Sequence, residues 1–399
     1  MKKRVVIGLS GGVDSSVAAW VLKEKGYDVT GLFMKNWHDT TGLIQSECHW
    51  EDDLMFAEMV AKKLDIPFHV VDLSEPYRKR VVDYMFSEYE KGRTPNPDVL
   101  CNREIKFDSF TDEARRLGGD FVATGHYCRK EEILRDDKTI YRLLAGRDGN
   151  KDQSYFLCQV SQEQLANALF PIGDLTKPEV RAIAEKIGLA TATRKDSQGI
   201  CFVGKVDLPS FLQQKLAARK GDIIEILNYS SAKPTDEGLP EGSASGEFLA
   251  SLTEPPKYEV TSGTLIGNHR GAHFFTIGQR KGMNVGGHKE PLFVIATDVL
   301  NNIVYVGEGH NHSGLNRKGL FIRTDEAHWI RSDLKMTDGE YRDYLVRIRY
   351  RQPLQKARLF CRNEGIYIIF EDLQRGIAPG QFAAWYEGDE VVGSGVIDR

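Results

Sequence analysis

The stretch that most limits how this chain can fold is Val5-Val6-Ile7-Gly8-Leu9-Ser10-Gly11-Gly12-Val13-Asp14-Ser15-Ser16. Its short apolar opening, rich in β-branched residues, predicts a buried strand. The paired glycines Gly11 and Gly12 then allow a tight turn that presents backbone N–H groups outward. Val17, Ala18, Val21 and Leu22 follow at helical spacing, with Asp14, Ser15 and Ser16 as cap or first-turn residues. Strand, glycine turn and helix N-terminus together favour a bound phosphate, because bare N–H groups and the helix dipole both attract an anion. The stretch is not the common P-loop, since no lysine follows the glycines. It also lacks the Gly-x-Gly-x-x-Gly spacing of a dinucleotide site.

From this turn to about residue 206 the pattern alternates strand and helix. Strands are expected at 29–33, 68–71 and 120–127, and helices at 54–64, 77–89 and 178–188. Such alternation implies a Rossmann-like α/β domain, a parallel sheet covered on both faces, over 1–206. Ligands then sit beyond the carboxyl ends of the strands, and the glycine turn, Met34, Gly125 and His126 all follow such ends. A small central domain is expected over 207–290, with a Pro/Ser/Gly-rich stretch at 228–263 read as a long flexible loop. From 291 the period changes to two, and Asn301-Asn302 signals a hairpin. The expected end of the chain, 291–399, is a small β-barrel.

Composition narrows the function. A net charge of −4 over 399 residues announces no global nucleic-acid surface, so any such surface is local. No apolar run approaches the ~18 residues of a membrane span, and the first strand is too short for a signal peptide, so a cytoplasmic protein with no membrane partner is expected. The six cysteines are far apart and form no Cys-x-x-Cys, which argues against a disulfide frame or a metal site and toward reactive thiols.

Three clusters carry candidate chemistry. Arg347, Arg349 and Arg351 alternate along one predicted strand, and Lys356, Arg358 and Arg362 follow with no acidic residue between 347 and 362. Six unopposed cations on paired strands suggest contact with an RNA backbone. Arg93-Thr94-Pro95-Asn96-Pro97-Asp98-Val99-Leu100-Cys101-Asn102-Arg103 forms a proline-stiffened loop leading into a helix, where nearby arginines should lower the pKa of an accessible Cys101. Lys195-Asp196-Ser197-Gln198-Gly199-Ile200-Cys201 places a second thiol at the end of a polar loop. The Ser10–Ser15 loop resembles that of enzymes that split ATP to activate an oxygen, and with two such thiols the resemblance points to replacement of oxygen by sulfur. A ligase or amidotransferase of the ATP-splitting kind would not need the thiols. A non-catalytic, ATP-sensing RNA-binding module would release no pyrophosphate.

The loop Ser-Gly-Gly-Val-Asp-Ser resembles the pyrophosphatase-type loop of enzymes that split ATP into AMP and pyrophosphate. With Phe33-Met34-Lys35-Asn36-Trp37, the Gly92–Asn102 run, Ala123-Thr-Gly-His-Tyr127, Asn150-Lys-Asp-Gln-Ser-Tyr-Phe156, Gly199-Ile-Cys-Phe202 and Gly278-Gln-Arg-Lys-Gly282, the chain resembles the bacterial-type tRNA 2-thiouridylase family. The resemblance implies ATP, with Mg2+, bound by Gly8, Leu9, Ser10, Gly11, Gly12, Val13, Asp14, Ser15, Met34 and Gly125. It implies Cys101 as nucleophile and Cys201 as persulfide carrier, the two forming a transient disulfide. Asn96, Pro97 and Asp98 would meet the target base, with Asp98 as acid/base. Contacts to tRNA would come from His126, Lys151, Asp152, Gln153, Tyr350, Arg351 and Gln381. The implied protein is a monomer served by a sulfur-donor protein. The 228–263 stretch is longer than most members carry.

Overall fold

The computed structural model describes residues 2–37, 49–196, 208–227, 238–242 and 244–399. The first region contains β1 (Arg4–Gly8), β2 (Asp28–Lys35), β3 (Phe68–Asp72), β4 (Phe121–Ala123), the hairpin β5 (Cys128–Arg135) and β6 (Lys138–Ala145), and β7 (Ala168–Leu169). Five of them form a wholly parallel sheet in the order β3-β2-β1-β4-β7. Alternate residues of the central strands point to opposite faces, as the pleat requires. Val5, Ile7, Val29 and Phe33 bury against the helices Val13–Glu24, His49–Leu64 and Lys177–Lys186. Val6, Leu32, Met34 and Val122 bury on the other side with Tyr77, Met85, Ile105 and Phe110. This is the expected α/β architecture, and its β1 turns into the helix at Val13 through Gly11 and Gly12.

The middle of the chain differs from the sequence reading. β8 (Gly221–Glu225), β9 (Thr264–His269), β10 (Leu292–Asp298) and β11 (Ile303–Glu308) form a separate sheet in the order β10-β11-β8-β9. The 293–306 hairpin, expected in the barrel, therefore belongs by pairing to this sheet. β11 finds a parallel partner in β8, and Ile223 and Ile224 bury with Val304, Val306, Phe293 and Tyr305. The described part of 228–263 is not a plain loop either. Ser245 caps a helix, Gly246–Thr253, through the Phe248 N–H at 3.2 Å. Its Leu249 packs on Phe321, Tyr367 and Ile369. One buried leucine stripe overrides a composition that looks like a linker.

The C-terminal region has β12 (Asn316–Arg323), β13 (Ala327–Trp329), β14 (Tyr341–Arg347), β15 (Gln355–Arg362), β16 (Gly365–Arg375), β17 (Phe382–Glu387) and β18 (Glu390–Val396). They run antiparallel in the order β12-β16-β15-β14-β17-β18, with β13 on β18, around a core that includes Ile322, Leu359, Phe370 and Trp385. This barrel sheet does not stop at β18. It continues through β6 and β5 of the first region, so one ladder joins the first region to the last. Glu390, 2% exposed, seals the seam by pairing with Arg142 at 2.7 Å and Arg331 at 2.6 Å.

Candidate active site at the ends of the parallel strands

At the end of β1 the backbone of Gly11 has φ +72°, and a Cβ there would overlap the Asp53 carbonyl. Only glycine fits both the turn and the close approach. Gly12 is the N-cap of the Val13–Glu24 helix and offers no side chain, so the first-turn N–H groups are left for an anion. The Ser10 N–H donates to Ser15 Oγ at 3.2 Å, which shapes the turn from within. Gly125 leans on the same turn, where a Cβ would stand 2.7 Å from the Ser15 nitrogen. The ring of Phe110 and the methyl of Met34 flank Gly8, 3.6 and 3.7 Å from the position of a Cβ there. Gly8, Gly11, Gly12, Ser15, Met34 and Gly125 are thus brought together.

The lysine missing from the turn comes from elsewhere. Lys177, in the first turn of its helix, donates to both carboxylate oxygens of Asp14 at 2.7 and 2.8 Å and pairs with Asp196 at 2.7 Å. The Tyr127 hydroxyl donates to Asp14 at 2.7 Å; burial first, and Asp14 second, raise its pKa so that it keeps its proton. Asp196 also holds Lys151 at 2.6 Å and Arg181 at 3.0 Å. Burial pushes the Asp196 carboxyl up, but the Lys151 and Lys177 contacts outweigh it and hold it at about 2. Arg194 donates to the Gly11 carbonyl at 2.7 Å and pairs with Asp53 at 2.7 Å. Lys177 and Arg194 were passed over in the sequence because the turn and its cations are some 160 to 180 residues apart. Asn36, two residues past Met34, belongs to a motif quoted for the resemblance but was given no role, and both its amide atoms are buried without a partner among the described residues.

Cys101 closes the helix Pro97–Cys101, which runs on through the wider turns of Asn102–Ser109 into Phe110–Arg116. Asn96 caps it by accepting the Val99 N–H at 3.3 Å, and Pro97 stands at the first position. Asp98 follows in the first turn, and its carbonyl accepts from Asn102 Nδ2 at 3.0 Å. The expected accessible thiol is not found: Cys101 is fully buried, one turn inside the helix. The two arginines expected to tune it serve other partners, Arg93 with Glu88 and Asp398, Arg103 with Glu104 and Gln159. Cys128 and Cys158 are buried as well, and burial pushes both thiols up, Cys158 to about 12. Cys201 lies outside the described residues.

The residues expected to touch RNA fall into two groups. Tyr350 packs against Phe156 with ring centres 4.5 Å apart and planes tilted by 41°, and Arg351 sits above Tyr350 in a left-handed turn at φ +63°. With Arg349, Gln352, Gln374 and Arg375 they line a cavity of about 430 Å³. Lys151 also lies near the surface. By contrast His126 is buried, with its ring against Phe107 and Phe170 and Nδ1 2.8 Å from Thr124 Oγ1. Burial, with Lys106 adding, drives its pKa well down, so it is neutral. Asp152 is buried because it accepts the N–H groups of Gly146 and Ser154 and pairs with Arg347 at 3.0 Å. Gln153 accepts the Tyr127 N–H at 3.0 Å, and Gln381 is turned onto the Thr94-Pro95 loop.

The cationic strand also needs correction. Arg347 is matched by Asp152, Arg358 by Asp343 at 2.6 and 2.8 Å, and Lys356 by Glu371 at 3.3 Å. Arg349 caps the carbonyls of Arg375 and Gly376. The opposing acids come from neighbouring strands and from the first region, which a local count of charge does not see.

Against known families, residues 3–205 match a model described as the tRNA methyl transferase HUP domain, 253–308 its PRC-barrel domain, and 321–397 an aminomethyltransferase beta-barrel domain. The middle match ends at 308, where β11 ends. A tRNA-specific 2-thiouridylase MnmA of Flavobacterium johnsoniae is 58% identical over 395 residues, covering 99% of this chain and 100% of the relative. The protein of that name from Christiangramia forsetii is also 58% identical, over 99% of this chain and 100% of its own length. That from Streptococcus thermophilus is 43% identical, over 100% and 96%. With relatives this similar from end to end, the chain belongs to the MnmA family of tRNA-specific 2-thiouridylases.

Proposed function

We propose that the protein converts the wobble uridine of tRNA to 2-thiouridine, with cleavage of one ATP to AMP and pyrophosphate. The observation that carries the reading is a single helix. It starts at the Asn96-Pro97-Asp98 turn, contains Cys101, and runs on to Phe110, whose ring flanks the nucleotide strand at Gly8. The helix that bears the thiol therefore packs against the strand that feeds the ATP-cleaving loop. Methyl transfer, the wording of the family models, needs no cleavage of ATP, so the Ser-Gly-Gly-Val-Asp-Ser loop favours thiolation.

In this reading the 8–15 turn, Met34 and Gly125 hold ATP, which brings Mg2+ with it, and Asn96, Pro97 and Asp98 face the uracil. The uracil O2 attacks the α-phosphorus and pyrophosphate leaves, with Asp98 handling the proton. The terminal sulfur of a persulfide on Cys201 attacks C2, and AMP departs with the oxygen. The Cys101 thiolate then attacks the Cys201 sulfur. The sulfur–sulfur bond to the base breaks, its electron pair stays on the 2-thiouridine, and the two cysteines end as a disulfide. A dithiol reductant restores them, and a sulfur-donor protein reloads Cys201. Because Cys101 is sealed from solvent here, transfer requires a second conformation that opens it to the base. Lys151, Tyr350 and Arg351 are the tRNA contacts this geometry favours. The protein acts as a cytoplasmic monomer; no helix among the described residues is long and apolar enough to cross a membrane.

Mass analysis of nucleosides from tRNA incubated with protein, ATP and a persulfide source tests the reading. Wild type gives 2-thiouridine. Cys101→Ser and Cys201→Ser give none, while Cys201→Ser still releases pyrophosphate. Unmodified uridine from wild type under conditions that cleave ATP rejects thiolation, and full turnover by both serine variants returns the ligase reading.

A further inference from the structure

Gln381 belongs to the barrel, but its side-chain amide is engaged inside the protein. Nε2 donates to the carbonyls of Thr94 at 2.9 Å and Pro95 at 3.3 Å, and Oε1 lies 3.5 Å from Asn96 Nδ2. The Thr94 N–H donates to the Pro379 carbonyl at 2.8 Å, and the Thr94 hydroxyl is 3.0 Å from that of Thr276 in the middle region. Gly380, at φ +91°, packs so closely that a Cβ would stand 2.9 to 3.0 Å from the N, C and O atoms of Thr94. One residue earlier Arg93 is bound three ways. It pairs with Glu88 at 2.6 Å and Asp398 at 3.2 Å, and donates to the Ile397 carbonyl at 3.3 Å. Asp398 is the penultimate residue of the chain.

These contacts all fall on residues 93–96, immediately before the helix that contains Asp98 and Cys101. They come from three regions of the chain, and the Arg93 ion pairs and fork are shielded, with the arginine side chain 19% exposed. A backbone held at this many points by partly buried bonds keeps one position. We infer that Gln381 and Arg93 are positioning residues for the reaction: they fix the Asn96-Pro97-Asp98 turn, so that the C-terminal barrel places the base-facing loop as well as gripping tRNA. The inference rests on the thiolation reading of that turn. It differs from a direct tRNA contact in one measurable way. A residue that touches only tRNA sets affinity, whereas one that places the turn sets the rate once tRNA is bound.

The test compares Gln381→Ala, Gly380→Ala and Arg93→Lys for tRNA Kd and for pyrophosphate release at saturating tRNA. Misplacing a reacting pair by about 1 Å costs on the order of 10²-fold. Gln381→Ala is expected to lower kcat roughly 10- to 100-fold, with tRNA Kd within about twofold. Gly380→Ala leaves the Gln381 side chain present and pushes Thr94 instead, and Arg93→Lys keeps the charge but loses the fork onto Asp398 and Ile397. Both are expected to show the same split, and the Gly380→Ala and Gln381→Ala losses should not multiply when combined, because they displace one turn. Weakened tRNA binding at unchanged kcat in Gln381→Ala, with Gly380→Ala silent, overturns the proposal and makes Gln381 a tRNA contact. Absence of pyrophosphate from wild type with tRNA instead overturns the underlying thiolation reading.

Discussion

The nucleotide turn at Gly11–Asp14 and the base-facing turn at Thr94–Asp98 are built alike, each a loop feeding a helix N-terminus, yet they are held by opposite means. The first is held by charge, through carboxylates that remain partly exposed: Lys177 on Asp14, Arg194 on Asp53, with Asp196 gathering Lys151, Lys177 and Arg181. The second is held mainly through its backbone, by Gln381, Pro379 and the close packing of Gly380, with Arg93 pinned between Glu88 and Asp398. Ammonium and guanidinium groups paired with carboxylates can exchange those partners for an incoming polyphosphate without moving the backbone. Backbone carbonyls tied to a side-chain amide have no such alternative. The first turn is built to trade partners and the second to stay put.

The largest effect should come from cutting the ionic side. Lys177 joins Asp14 to Asp196 with its side chain 11% exposed, and Lys177→Met would leave two carboxylates facing the incoming phosphates. The rate of AMP formation is expected to fall about 100-fold, or about 2.7 kcal/mol, with Lys177→Arg recovering much of it. Equal turnover in Lys177→Met would show that the charge on this turn is only structural. Salt sharpens the contrast. Raising ionic strength shortens the Debye length from about 10 Å at 0.1 M to about 3 Å at 1 M, so the KM for ATP should rise several-fold while the Gln381→Ala defect in kcat stays constant.

A smaller effect follows from Asp196, whose carboxyl is held at about 2 against an ordinary 3.8. A depressed carboxylate stabilises the fold at any pH above its unfolded value, and that contribution is lost as pH falls through the folded value. Wild type should therefore lose stability between roughly pH 4 and pH 2. Asp196→Asn should start about 1 kcal/mol lower at neutral pH, a figure discounted for its partial exposure, and should converge with wild type in acid. Thermal unfolding across that range reads both; parallel curves would show that Asp196 holds nothing that matters to the fold.

The same contrast explains what the sequence could tell. The nucleotide turn was legible because its parts are contiguous: β-branched strand, Gly11-Gly12 and first-turn residues lie within twelve positions. The parallel sheet was legible for the same reason, one period at a time. Lys177, Arg194 and Gln381 reach their turns from remote parts of the chain, and no local pattern marks that. The 293–306 hairpin was recognised, but its partner β8 is a five-residue strand with one short apolar pair, so the hairpin was placed in the wrong sheet. Joining β18 to β6 likewise depends on a register between residues 390 and 144 that propensity cannot supply. His126 and Asp152 show the converse. The family resemblance implied tRNA contact at both, and tertiary packing buries them.

The least effect is expected where charge is merely displayed. Arg358 pairs with Asp343 through two bonds and also donates to the Pro240 carbonyl, on the outside of the barrel. A pair with one exposed partner contributes about 0–1 kcal/mol, since the Coulomb gain near water is offset by ordering the long arginine side chain. Arg358→Ala should therefore shift stability by no more than about 1 kcal/mol and leave turnover alone. Its value lies in tRNA binding measured against salt. A lysine or arginine that neutralises a phosphate contributes about one unit to the slope of log affinity on log salt. An unchanged slope in Arg358→Ala, beside a shallower one in Arg351→Ala, would confine the RNA surface to the Tyr350–Arg351 cavity. A shallower slope in both would restore the charged strand to the tRNA footprint, and would make its pairing with Asp343 another contact that yields to phosphate, as the nucleotide turn's contacts do.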